Sequence, residues 1–174
     1  MKEKPPVLLT FGVLITMLGF SCTIRAAESS KTERPAIYDE AADSAKQIAD
    51  AQTTAKKENK NVLLQFGANW CGWCHKLHKL CESDQAIREE LKSGYVVTLI
   101  DVNKGHNKNL VEKYEAERMG LPFIVILDAN GKHLTTKNTG ELEEGDHHSP
   151  QKVMEFLKRW TPQKKDGSGA HNNH

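Results

Sequence analysis

The chain has 174 residues, 27% of them charged and 6% aromatic, and its 24 Lys and Arg against 23 Asp and Glu give a formal net charge of +1. That length suits one domain with a hydrophobic core of its own. A balance so near neutrality leaves no extended field of one sign to hold nucleic acid or an anionic membrane, so partners must be recognised by local chemistry.

Lys2 and Lys4 precede an apolar run from Val7 to Phe20, followed by small residues in "SCTIRAAESS". This is the three-part layout of a secretory signal peptide, and the run is too short for a comfortable membrane span. Residues 1–26 are therefore expected to be removed, with export to the periplasm or the cell exterior and no membrane span in the mature form. Loss of Lys2, Lys4 and Arg25 against Glu3 takes the charge from +1 to −1. "LGFSC" offers another fate, a lipid anchor on Cys22, although Phe20 is bulky where such signals carry smaller residues.

From Ala36 to Lys60 the positions Ile37, Ala41, Ala45, Ile48 and Ala55 recur at helical spacing and predict a covering helix. Three nearly continuous apolar runs follow, "NVLLQF", "YVVTLI" and "FIVILD", separated by polar stretches of helical period. Strands buried on both faces have this composition. Helical crossovers between them predict parallel pairing. "DANGK" then reads as a hairpin turn in which Asn130 and Gly131 take left-handed conformations, leading to an antiparallel edge strand at His133 to Lys137. Ser149 before Pro150 is placed to cap a helix with a stripe of Val153, Phe156, Leu157 and Trp160. The domain is thus expected over residues 36–160, as an α/β fold with a mixed four-stranded sheet and helices on both faces. Residues 161–174 carry no apolar residue larger than Ala170 and Pro162 and are expected to be a disordered tail.

The chemistry is concentrated in "NWCGWCHKL", residues 69–77, where the first strand gives way to a helix. Cys-x-x-Cys beside a βαβ pattern reads as a redox dithiol, whereas Cys-x-x-Cys-His also marks a c-type haem attachment site. The first helical turn has unpaired N–H groups and a partial positive charge, which favour the thiolate of Cys71. Cys74 lies one turn on, placed to resolve a mixed disulfide formed at Cys71. Gly72 admits a partner's backbone, and Trp70 and Trp73 form an apolar collar suited either to partner contact or to packing. His75 is either a solvated surface residue or, when charged, a group that lowers the Cys74 pKa. Cys81 follows Cys74 by seven residues, about 10 Å along one helix, too far for a disulfide, whose Cα atoms lie within about 7 Å. It is expected to be a buried free thiol. His147, His148, His171 and His174 lack metal-ligand spacing, so no metal is expected.

At "FGANWCGWC" after a buried strand and "MGLPFIVIL" before the third, the chain resembles the thioredoxin family, and most of all its exported bacterial members. The resemblance implies a thioredoxin fold and thiol-disulfide oxidoreductase activity without a cofactor. It further implies a cis Pro122 against the cysteines, with the Leu121 backbone receiving an extended substrate. Protein thiols or disulfides and a redox partner are the expected partners, and a monomer the expected state. A non-catalytic thioredoxin-like binding module is the principal alternative, and a haem protein the other. The family usually carries a buried acid six residues before the first cysteine. Here that residue is Gln65.

Overall fold

The computed structural model describes residues 34–163. The signal-peptide reading, Cys22 and positions 164–174 of the expected tail lie outside these residues.

Helix α1 spans Ser44–Glu58, with Asp43 accepting a hydrogen bond from Lys46 N at 3.1 Å and Asn59 closing it in the left-handed conformation. It therefore begins later than its alanine spacing predicts. Residues before Asp43 are held by side chains around the site and are not helical. Strand β1 covers Asn61–Gly67, buried along its whole length. Two helices follow, α2 at Gly72–Ser83 and α3 at Gln85–Gly94. Asp84 separates them in an extended conformation while its carboxylate caps α3 through Ile87 N at 3.0 Å. Then come β2 (Tyr95–Asp101), the short α4 (Lys108–Lys113), β3 (Phe123–Leu127) and β4 (His133–Asn138). A two-residue pair, β5 (Glu143–Glu144) with β6 (His147–His148), precedes α5 (Pro150–Trp160).

The sheet order is β2-β1-β3-β4. β1 and β2 are parallel, as predicted, but β1 and β3 are antiparallel, which corrects the expectation for that pair. The registers explain the reversal. Gly67 lies opposite Asp101 and Phe66 opposite Phe123, so the connection from β2 to β3 leaves and returns at the same end of the sheet. No crossover along the sheet takes place, and a parallel pairing would require one. β4 completes an antiparallel hairpin with β3. In its turn only Gly131 has a positive φ, of 83°, while Asn130 does not. Asp128 Oδ1 organises the loop by accepting from Asn130 N and Lys132 N at 2.8 and 2.9 Å.

Burial on both faces of β1 explains its unbroken apolar composition. Even-numbered Val62, Leu64 and Phe66 meet Ile48 and Ala55 of α1 on one face, where Phe66 stacks on Phe123 at 4.6 Å. Leu63 faces the other way, toward Leu77, Ile87, Phe156 and Leu157 of the remaining long helices. Ser149 occupies the cap position of α5 without a side-chain bond to the helix, and its N–H goes instead to Leu142 O at 2.8 Å. Pro150 in the first turn needs no N–H partner. Thr161, the first residue of the expected tail, donates to Leu157 O at 3.1 Å and belongs to the ordered fold.

Candidate functional site

β1 runs out at Gly67, and the chain turns through Ala68–Trp70 into α2. Cys71 is the N-cap residue of that helix, with Sγ accepting from Cys74 N at 3.1 Å. The sulfur therefore occupies the place where a helix offers unpaired N–H groups and positive potential. Cys71 and Cys74 are disulfide-bonded, their Cα atoms 5.3 Å apart. Cys71 is 5% exposed and Cys74 fully enclosed, so an incoming group can approach only the first sulfur.

The surroundings come from five segments at one end of the sheet. Asn69 pins the segment before α1 across the motif: its Oδ1 accepts from Ile37 N and Tyr38 N, both at 2.9 Å, and its Nδ2 donates to Tyr38 O at 3.0 Å. Arg34 Nη2 donates to the Trp70 carbonyl at 2.9 Å. The Trp70 ring is not core: it is 63% exposed, tethered by Nε1 to Asn103 Oδ1 at 3.0 Å. Trp73 is half-buried, with Lys76 Nζ 4.3 Å from its ring centre and His148 edge-on at 5.3 Å. The Leu121–Pro122 bond is cis, and Leu121 packs against the cluster of Tyr38, Cys71 and Cys74. Among the described residues nothing crowds Gly72, where an added Cβ would meet only Arg34 Nη1 at 3.7 Å.

His75 Nε2 lies 2.7 Å from the Asn69 carbonyl, which can only accept, so this nitrogen carries the proton and braces the turn before Cys71. That geometry fits c-type haem poorly. Nε2 is committed to a carbonyl, and the two sulfurs are bonded to each other with Cys74 fully enclosed.

Behind the disulfide, Gln65 is 3% exposed and donates through Nε2 to the Tyr38 hydroxyl at 2.8 Å. Burial pushes the Tyr38 pKa up to about 12, keeping the phenol protonated. Gly67 is required here: a Cβ would lie 2.2 Å from the Tyr38 hydroxyl and 2.7 Å from Cys74 Sγ. Cys81 is the expected free thiol, though partly rather than fully buried against the apolar core, its pKa raised to about 12 by burial and then by Glu82 and Asp84.

Sequence reasoning missed Tyr38, Asn69 and His148. Tyr38 is the lone aromatic of "AIYDE", and Asn69 adjoins the motif, which are the faint signals each offers. His148, considered in the sequence only as a metal ligand, is in β6. It is 2% exposed with neither ring nitrogen partnered among the described residues, and burial together with Lys76 and His147 lowers its pKa to about 4, so it is neutral.

The model of a thioredoxin-like domain matches residues 48–146. The thiol:disulfide interchange protein DsbD of Actinobacillus pleuropneumoniae is 35% identical over 89 residues, covering 49% of this chain and 15% of that protein. The thiol-disulfide oxidoreductase ResA of Geobacillus kaustophilus is 36% identical over 86 residues, covering 48% of this chain and 45% of that one. This chain thus spans less than half the length of either curated relative. The crystal structure of a disulphide isomerase from Xylella fastidiosa Temecula1 superposes with a TM-score of 0.64 at 32% identity, covering 72% of this chain and 96% of that one. With the motif, the mixed sheet and the cis proline in place, the chain belongs to the thioredoxin-like family.

Proposed function

We propose that this protein is an exported thiol-disulfide oxidoreductase acting on protein thiols or disulfides, with Cys71 as nucleophile and Cys74 as resolving thiol. The observation that carries the reading is the placement of Cys71 Sγ at the first turn of α2, bonded to the enclosed Cys74 and receiving its N–H. In the reduced protein the Cys71 thiolate attacks a substrate disulfide, forming a mixed disulfide and expelling one substrate thiolate. Cys74 then attacks the Cys71 sulfur, closing the internal bridge and releasing the second. Run backwards, an incoming thiolate attacks Cys71, and Cys74 takes the electron pair.

Trp70, Gly72 and Trp73 offer the contact surface, with Leu121 and Pro122 the shelf for an extended substrate segment. His75 acts by holding the turn through Asn69. Export is supported by the layout of residues 1–26 and by the likeness to DsbD and ResA.

The test is trapping. In Cys74→Ser, Cys71 should alkylate rapidly near neutral pH and retain clients as mixed disulfides. A Cys71 inert to alkylation would instead favour a non-catalytic binding module. Mass analysis of the secreted protein should find an N-terminus at position 27 without acyl chains, and an unprocessed cytoplasmic chain would refute export.

A further inference from the structure

Opening the Cys71–Cys74 bond leaves a negative charge on Cys74, which is fully enclosed. A thiolate made in such a place is costly unless a donor meets it. Gln65 occupies the position of the family's acid, and its Nε2 is spent on the Tyr38 hydroxyl. That phenol accepts from Gln65 and keeps a proton of its own, which meets no hydrogen-bond acceptor among the described residues. The Cys74 sulfur borders the same space: a Cβ on Gly67 would lie 2.2 Å from the Tyr38 hydroxyl and 2.7 Å from Cys74 Sγ. Tyr38 packs against Cys74, and the two groups flank the space a Gly67 side chain would fill. Asn69 clamps the Tyr38 backbone on both its N–H and its carbonyl, so the ring is delivered from a fixed position.

Building on the oxidoreductase reading above, we propose that the Tyr38 hydroxyl, oriented by Gln65, donates a hydrogen bond to the Cys74 sulfur as the disulfide opens. The incoming thiolate forms its bond to Cys71 Sγ, the Cys71–Cys74 bond breaks, and its electron pair moves onto Cys74. Tyr38 stabilises that charge without giving up its proton, and solvent supplies the proton that finally neutralises Cys74. Burial, which holds the phenol neutral, preserves the donor. Tyr38 thus serves the leaving group and has no part in activating Cys71.

The experiment separates these two sulfurs. Dithiothreitol opening of the oxidised protein, followed by the fluorescence of Trp70 and Trp73, should be about tenfold slower in Tyr38→Phe, as expected for loss of a hydrogen bond to a developing charge. In a Cys74→Ser background, iodoacetamide should alkylate Cys71 equally fast with Tyr or Phe at position 38. Wild-type opening rates in Tyr38→Phe would overturn the proposal, as would an equal slowing of both reactions. Should Tyr38→Phe fail to fold, Gln65→Leu keeps the phenol but not its orientation and should slow opening about threefold; no change would overturn it. A Cys71 that does not alkylate even with Tyr38 present marks failure of the oxidoreductase reading itself.

Discussion

The two ends of α2 carry the same side chain in opposite chemical states. At its start, Cys71 has a helix N–H on its sulfur and is reachable from outside; near its end, Cys81 lies against Leu77, Leu91 and Phe156 with its thiol pKa raised to about 12. Under the proposed function the contrast makes reactivity a property of position: one sulfur lies at a helix N-terminus with access from outside, while desolvation holds the proton on the other.

The sharpest way to break that comparison is to remove each sulfur. Cys71→Ser should abolish disulfide exchange, at least about a thousandfold in an insulin-reduction assay, because the covalent route is lost. Cys81→Ala should leave the rate within about twofold. Comparable losses in the two variants would mean that the contrast has no functional content.

Next in size is the crowding around the start of the helix. Gly67→Ala would drive a methyl into the Tyr38 hydroxyl and Cys74 Sγ, and should cost about 2–4 kcal/mol in urea unfolding. An unchanged midpoint would show that the site has slack.

A smaller effect appears at alkaline pH. The folded protein holds the Cys81 proton up to about pH 12, whereas an exposed thiol releases it near 9. The stabilisation is therefore complete below about pH 9 and is lost as pH climbs toward 12. Tyr38 and Tyr95 add the same trend from a start near 10. In the oxidised protein, Cys81→Ala should flatten the decline between pH 9 and 10, seen in denaturant midpoints. Smallest is Asp84→Ala, which uncaps α3 and should cost about 1 kcal/mol, with no change in exchange rate because Asp84 lies at the end of α2 away from the dithiol.

Much of this was legible in the chain itself. The three apolar runs became β1, β2 and β3, and the dithiol stood where the turn from β1 into α2 required it. β1 and β3 are enclosed on both faces, as continuous hydrophobicity predicts, whereas β2 corrects that expectation: it is an edge strand with Val97 44% exposed. The direction of β3 was not legible. Apolar content says that a strand exists, but the end at which it is entered depends on where residues 102–122 travel. Tyr38 escaped notice for a related reason. Its segment falls within the helical spacing read from Ala36, yet it is held by the Asn69 amide instead, and such pairings between distant positions leave no local pattern. Ser149 shows the converse error, since a residue of the right type at the right place still leaves its hydroxyl unbonded to the helix.

The return of the chain to the same end of the sheet between β2 and β3 has a practical corollary. β3 then runs away from the dithiol for five residues, about 16 Å, and sets the 128–132 hairpin at the far rim with Asn130 and Lys132 exposed. A dye or fused module tethered at Lys132 would ride on the quiet pole of the molecule. It could report on docking at the opposite rim without competing for it.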